Sequence, residues 1–458
     1  MHGQRRLWSA SLIAGAILWT AAWARADEGV EAALDKIRKP VEGCIIGADL
    51  RLRHEHLFNH LTLIDDAPDR EWSYERYRLR LWTSITPLKD QELTANVRLC
   101  TENRHWWLPD SRTEWQWTDV LFDELNVTWN KPGGLPLGVT VGRQNFFDDR
   151  TGVYNYGDGW LLGDGTPLDG SRTFYFDAIN VRFDLVDMKT TVNVAYIDQR
   201  AKPVAALHPI GNRVINLTEQ DERGGFVWIS NKSIPDMTVE PYFIYNNNDA
   251  ELPGGYEGDV YTVGLRAERP FSPNIKAKAQ GCYQWGQRNG EDISAFAFTA
   301  RVGYAFNDGM KNQLYAVYEV MSGDDPDTAK VEAFDPLWGR WPQWSELLIY
   351  TWILETRVSE ITNFHRVSLG WTCAPIADMS VVVDYSALFA LQNTLAGSPV
   401  FDDSGKFRGH LLRAILRYTF SRHLNAHLWI EHFIPGSYYA DDREDAATFL
   451  RLQAVITL

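Results

Sequence analysis

The dominant pattern along this chain is strict alternation of apolar and polar side chains, running from Cys44 to Leu458. Ile46, Ala48, Leu50 and Leu52 alternate with Asp49, Arg51, Arg53 and Glu55. Tyr77, Leu79 and Leu81 alternate with Arg76, Arg78 and Arg80. Phe296, Phe298, Ala300, Val302 and Tyr304 oppose Ala297, Thr299, Arg301 and Gly303, and Leu450, Leu452, Ala454, Ile456 and Leu458 oppose Arg451, Gln453, Val455 and Thr457. A period of two predicts strands with one greasy and one polar face. Eighteen such runs are present, near 44–57, 72–87, 91–102, 117–130, 136–146, 175–186, 188–199, 222–231, 237–247, 256–270, 273–286, 293–306, 312–323, 361–373, 378–391, 408–420, 422–434 and 446–458. Many reach the ~9–11 residues that a tilted membrane strand needs, whereas strands of soluble proteins more often have about 5–6.

The connections alternate between short and long. Leu185–Met188, Pro270–Pro273, Phe306–Gly309 and Phe420–His423 read as tight turns, while 147–174, 200–221, 324–360 and 392–407 are long and rich in Gly, Asp, Pro and Trp. Aromatic residues cluster near strand ends, at Trp129, Trp285, Trp371, Tyr418 and Phe420. Together these features predict an all-β protein: a single up-and-down antiparallel transmembrane barrel of about 18 strands spanning 44–458, in contact with outer-membrane lipid. A soluble sandwich, propeller or solenoid shares the alternation but not the strand length. One helical stretch is expected, over 28–39, stopped by Pro40.

The first 26 residues read as a cleaved export signal. Arg5 and Arg6 precede the apolar Leu12–Leu18, and Ala24-Arg25-Ala26 fits a small-x-small cleavage site. Residues 27–43 then form a short periplasmic segment before the barrel. No later stretch approaches the ~20 apolar residues of a spanning helix. The four cysteines, Cys44, Cys100, Cys282 and Cys373, are far apart and form no C-x-x-C pair, so isolated apolar filling is their expected role and no metal or cofactor is expected.

Composition refines the function. The net charge is −15, from 45 Lys and Arg against 60 Asp and Glu, with no basic block, which argues against a nucleic-acid partner. Of the 45 cations, 33 are Arg. An Arg or Lys facing lipid at mid-depth costs about 2–4 kcal/mol, so strand arginines are expected to point into the barrel. By that parity Arg51, Arg53, Arg76, Arg78, Arg80, Arg98, Arg182, Arg266, Arg301, Arg366, Arg413, Arg417 and Arg451 line the interior, with Glu55, Glu102, Glu124, Asp184, Glu268, Glu319, Asp384 and Glu431 beside them. A guanidinium is a planar fork matched to a carboxylate, so the set suits an anion path, although interior Arg and Glu also pair simply to satisfy one another. The loop acids Asp148, Asp149, Asp324, Asp325, Asp327, Asp402, Asp403, Asp441 and Asp442 read as solvated, with screening of the mouth or holding of a divalent cation as the alternatives. Trp338, Trp341, Trp344 and Trp352 in the 324–360 loop read as interface anchors, or as a lid or sugar platform over the mouth.

Two stretches carry a family likeness. Gly142-Arg143-Gln144 closes a strand, and Gly157-Asp158-Gly159-Trp160 and Gly165-Thr166-Pro167-Leu168-Asp169-Gly170-Ser171-Arg172-Thr173 follow. With Tyr77-Arg78-Leu79-Arg80-Leu81, this resembles the alginate-export family of outer-membrane porins. The resemblance implies a monomeric 18-stranded barrel that exports a polyuronate, working with periplasmic export partners, through an electropositive constriction. It maps pore arginines onto Arg78, Arg80, Arg143 and Arg172. Arg143 shares the parity of the lipid-facing Val139 and Val141, so a bulge or strand end at Gly142 is expected to turn it inward. The expected function is a channel for an anionic polysaccharide or its oligomers. The alternatives are a plugged binding barrel and a barrel lipase. No G-x-S-x-G motif and no Ser–His pair with an orienting acid supports the lipase, so no enzyme is expected.

Overall fold

The computed structural model describes residues 28–88, 92–112, 114–202, 215–339, 341, 343–357 and 360–458. The export signal expected at 1–26 lies outside them. Eighteen long strands form the wall: β1 (Cys44–Phe58), β2 (Glu71–Leu88), β3 (Leu93–Leu108), β4 (Leu121–Asn130), β5 (Leu137–Asn145), β6 (Tyr175–Leu185), β7 (Thr190–Gln199), β8 (Gln220–Asn231), β9 (Thr238–Ala250), β10 (Gly258–Pro270), β11 (Ile275–Arg288), β12 (Glu291–Ala305), β13 (Gln313–Met321), β14 (Phe364–Cys373), β15 (Met379–Phe389), β16 (Phe407–Ser421), β17 (Leu424–Pro435) and β18 (Ala447–Thr457). Each pairs antiparallel with its sequence neighbour, and β1 pairs with β18, for example Leu52 with Ala454. The sheet therefore closes on itself and leaves no edge. A helix, α1 (Glu28–Arg38), precedes the barrel. Its Glu31 bonds to Arg422 and His423 in the turn between β16 and β17.

The apolar face looks outward. Leu79, Leu81, Val263, Leu265, Phe296, Phe298, Val302 and Leu369 are all exposed, whereas alternate residues on the same strands are buried or half-buried. Exposed aromatics gather towards both ends of this band. Trp129 and Trp371 lie near the short-turn end, and Trp285 stacks on the half-buried Tyr261, which stacks on the half-buried Tyr245, towards the loop end. One connection at the loop end is short. Asn289 and Gly290 join β11 to β12 with φ of 53° and 86°, the positive values a two-residue hairpin turn requires. All four cysteines are free thiols.

The loop end of the barrel is not hollow. Loops 146–174 and 322–363 fold into it and pair with each other. Trp338 N–H donates to Leu161 O at 3.1 Å, and Gly163 N–H to Trp338 O at 3.0 Å. Trp160, Leu161, Phe334, Trp338, Leu347 and Trp352 from these loops are buried against the inward wall residues Phe176, Phe226, Leu411, Phe433 and Phe449. The tryptophans read as interface anchors or as a lid over the mouth are thus internal: Trp338 is 1% exposed and Trp352 2%. Their indoles find more apolar surface inside the wall than at its rim.

Gly142 is the one strand glycine on which a predicted site residue depends. Its φ is +115°, and a Cβ there would meet Leu125 O at 2.4 Å. Pairing between β4 and β5 runs through it without a shift, while the β3–β4 ladder shifts register between Arg98 and Leu99, beside the Phe122 carbonyl that accepts from Arg143. Val141 is 48% exposed, and Arg143 only 3%. Gly142→Val should destabilise the barrel by about 1–3 kcal/mol through backbone strain alone, with the clash added. Heat-modifiable gel migration measures this, and unchanged folding would show that the position tolerates a side chain.

Candidate functional site

The inward face of β1 and β2 sets arginine directly against arginine. Arg51 pairs with Arg78 across the ladder, and Arg53 with Arg76, while Asp49 faces Arg80. Like charges directly opposite repel, so this arrangement stands only if carboxylates are brought between them. Glu102 of β3 serves Arg51 at 2.5 Å and Arg76 at 2.5 Å. Glu55 serves Arg76 at 3.5 Å, Arg53 at 3.4 Å and Arg451 Nε at 2.7 Å. Asp49 holds Arg80 at 2.6 Å, and Asp123 holds Arg98 at 2.9 Å.

The wall carboxylates do not complete the set, and the two internal loops supply the rest. Asp149 of the first loop takes Arg78 at 2.6 Å and Arg80 at 2.7 Å, one guanidinium on each oxygen. Burial raises the Asp149 carboxyl, but Arg78 and Arg80 beside it pull it further down, well below the usual carboxylate range. Ser171 of the same loop accepts from Arg51 at 3.0 Å and Arg78 at 3.2 Å on its carbonyl, and from Arg53 at 2.9 Å on its hydroxyl. Glu346 of the second loop holds Arg451 at 2.7 Å. Burial raises the Glu346 carboxyl too, and Arg451 lowers it below its ordinary value. Glu431 of β17 accepts the Glu346 N–H at 2.8 Å and so fixes the position of that residue.

The remaining arginines fall into distinct surroundings. Arg143 holds Asp177 at 2.8 Å and lies over the Tyr175 ring, which packs with Cys100 and Leu121. Arg172 is buried on Asp169 at 2.8 Å. Arg266 binds Glu240 at 2.8 Å and Glu268 at 2.7 Å. Arg366 binds Glu319 at 2.7 Å and stacks on Trp344, and Arg413 binds Asp384 at 2.6 Å and Trp344 O at 2.8 Å. Arg182 sits near the short-turn end with Asp184 at 2.9 Å, its side chain 60% exposed. Arg301 lies over the Tyr315 ring, and Arg417 is exposed; neither forms an ion pair among the described residues. The structure thus gathers Arg51, Arg53, Arg76, Arg78, Arg80 and Arg451 into one network, sets Arg98 beside it on its own Asp123, and leaves the others in smaller groups.

On β4 to β8, away from that network, a cavity of about 1120 Å³ reaches the short turns. Its lining mixes neutral polar side chains, among them Thr128, Thr140, Asn180, Asn193 and Ser230, with the cations Lys131, Arg182, Lys189 and Lys232 and the acids Glu92, Asp184 and Glu240. Sequence reading missed Asp149, Ser171 and Glu346 as site residues. They lie in loops, where no periodicity signals which way a side chain points. Among the described residues no group of His, Cys, Asp and Glu is arranged to hold a metal ion.

The alginate export family model matches residues 119–452. Among curated proteins, none matches the sequence. Solved structures of the same fold include three from Pseudomonas aeruginosa. OpdQ has a TM-score of 0.55 at 11% identity, over 91% of this chain and 99% of its own. OpdO has a TM-score of 0.55 at 12% identity, over 91% and 98%. OpdK, solved with vanillate, has a TM-score of 0.52 at 10% identity, over 90% and 98%. At that identity the likeness concerns the fold, and it is the family match that assigns the sequence. The chain belongs to the alginate export family, with the 18-stranded architecture of an outer-membrane channel.

Proposed function

We propose that the barrel passes an anionic polysaccharide or its oligomers across the outer membrane, along a path lined by Arg51, Arg53, Arg76, Arg78, Arg80 and Arg98 and continued by Arg301, Arg413, Arg417 and Arg451. The observation that carries this reading is the opposed pairing of Arg51 with Arg78 and of Arg53 with Arg76. A wall built only for stability would alternate charge signs across the ladder. Successive guanidinium forks instead give a carboxylate-bearing chain a series of equivalent partners. The residues after position 26 form the mature protein, and the short turns face the periplasm, as is general for such barrels. The cavity on β4 to β8 is the vestibule on that side, and its hydroxyl and amide lining suits the neutral face of a sugar.

A second reading is a plugged binding barrel. It is favoured by the packing of loops 146–174 and 322–363 inside the wall. Planar-bilayer recording separates the two. The channel reading requires measurable conductance with anion selectivity. The triple change of Arg78, Arg80 and Arg413 to Ser should lower the anion-to-cation permeability ratio by about threefold or more. Cation selectivity of the unaltered protein overturns the reading, and absence of any conductance selects the plugged barrel.

Loop attachment also has a pH signature. Carboxyls held below their usual range keep their contacts at neutral pH and lose them only as the pH falls through the depressed value. Current noise from loop release should be absent at about pH 5 and set in only below about pH 4. Release above about pH 5 would contradict the attachment of these loops through Asp149 and Glu346.

A further inference from the structure

We infer that Asp149 is a specificity-determining residue: its carboxylate occupies the two guanidiniums that a carboxylate-bearing sugar would use, so such a solute advances by displacing it. The inference rests on the reading of the lumen as a path for an anionic polysaccharide.

Four observations converge on this residue. First, Asp149 spans the forks of Arg78 and Arg80, two successive inward positions of β2, with one oxygen on each at 2.6 and 2.7 Å. That is the bridging arrangement one uronate carboxylate would adopt between neighbouring forks. Second, the two arginines do not depend on Asp149 equally. Arg80 keeps Asp49 of the wall at 2.6 Å, whereas among the described residues the only other partner of Arg78 is the Ser171 carbonyl, at 3.2 Å. The Arg78 Nε–H, buried, has no acceptor among the described residues. Arg78 is thus a buried fork whose charge is met by a loop and not by its own wall.

Third, Asp149 lies at the tip of a small hairpin in which Phe147–Asp148 pairs with Val153–Tyr154. The tip residues Arg150, Thr151 and Gly152 are exposed. The tip can lift without separating Leu161 from Trp338, where the two loops are bound to each other. Fourth, Glu346, which meets the same arginine network from the second loop, has a different setting. Glu346 directly precedes the short helix Leu347–Thr351 and is tied by its own N–H to Glu431. Its contact to Arg451 is therefore fixed, and Asp149 is the movable member of the pair.

A resident carboxylate selects by chemistry. A neutral sugar offers hydroxyls, which cannot replace an ion on two buried guanidiniums; a carboxylate can. Displacement also lowers apparent affinity by the fraction of time the tip is lifted, so removing the resident group strengthens binding of the right solute. The purified full chain, recorded in planar bilayers with oligogalacturonate as blocker and maltooligosaccharides of equal length as the neutral probe, tests this. In Asp149→Asn the half-blocking concentration of oligogalacturonate should fall about tenfold, roughly what release of one charge-assisted contact supplies. In Asp149→Glu it should stay near that of the unaltered protein, and the maltooligosaccharides should be unaffected throughout. Asp49→Asn, which removes a wall carboxylate from the same Arg80, should change it far less.

An unchanged value in Asp149→Asn overturns the inference. So does an equal fall in Asp49→Asn, which would make the effect one of lumen charge alone, and so does tighter block by the neutral oligomers. Failure of Asp149→Asn to reach the heat-modifiable folded form makes the residue structural and overturns it too. If oligogalacturonate does not block the unaltered channel, the proposed path itself fails, a result visible before any variant is compared.

Discussion

A guanidinium cannot face acyl chains at mid-depth without a cost of about 2–4 kcal/mol, and this barrel carries many arginines on its strands. They therefore go inside, and the interior inherits a second difficulty. On β1 and β2 the ladder sets Arg51 against Arg78 and Arg53 against Arg76. The pairs are made tolerable by Glu55 and Glu102 of the wall, and then by Asp149, Ser171 and Glu346 from loops that fold inward. The loops and the wall are consequently one electrostatic unit. Breaking a buried pair by removing one partner costs more than the pair contributes, because the remaining charge is left unmet. The inner face thus holds the loops in place, and the loops allow it to be so basic.

The lumen divides accordingly. β1 to β3 with β18 carry the dense arginine network, closed over by the loops at one end. β4 to β8 carry threonine, asparagine and serine around an open cavity at the other. On the proposed path, a polymer bearing both carboxylates and hydroxyls has a partner on each side. The apolar plug around Trp338 and Phe334 rigidifies the loops. The hairpin at 147–154 is held at its base by Phe174 and Gln343, and its tip residues Arg150, Thr151 and Gly152 are exposed.

How much of this was legible depended on whether a period existed to read. Strands announce themselves by alternation, and all eighteen predicted runs overlap observed strands, with β4 beginning at Leu121 rather than 117. The short helix before Pro40 was legible for the same reason, since its stop is local. Parity placed the arginines on one face but could not grade them. Arg451, buried between two glutamates, and Arg417, exposed without an ion pair among the described residues, read identically in sequence. Loops have no period. Asp149 read as a solvated acid because nothing nearby in the chain signals two arginines some 70 residues earlier. Trp338 and Trp352 read as interface anchors because an indole in a loop carries no sign of which surface it will cover.

The assignment of inside and outside is the claim beneath all the others, and collision of a nitroxide with oxygen dissolved in lipid reports it residue by residue. Labels placed singly from Ala295 to Val302 on β12, in the reconstituted protein, should show oxygen access rising and falling with period two. It should be high at Phe296, Phe298, Ala300 and Val302 and low at Ala295, Ala297, Thr299 and Arg301. Uniform access along the strand, or high access at the second set, would contradict a barrel whose greasy face meets the bilayer.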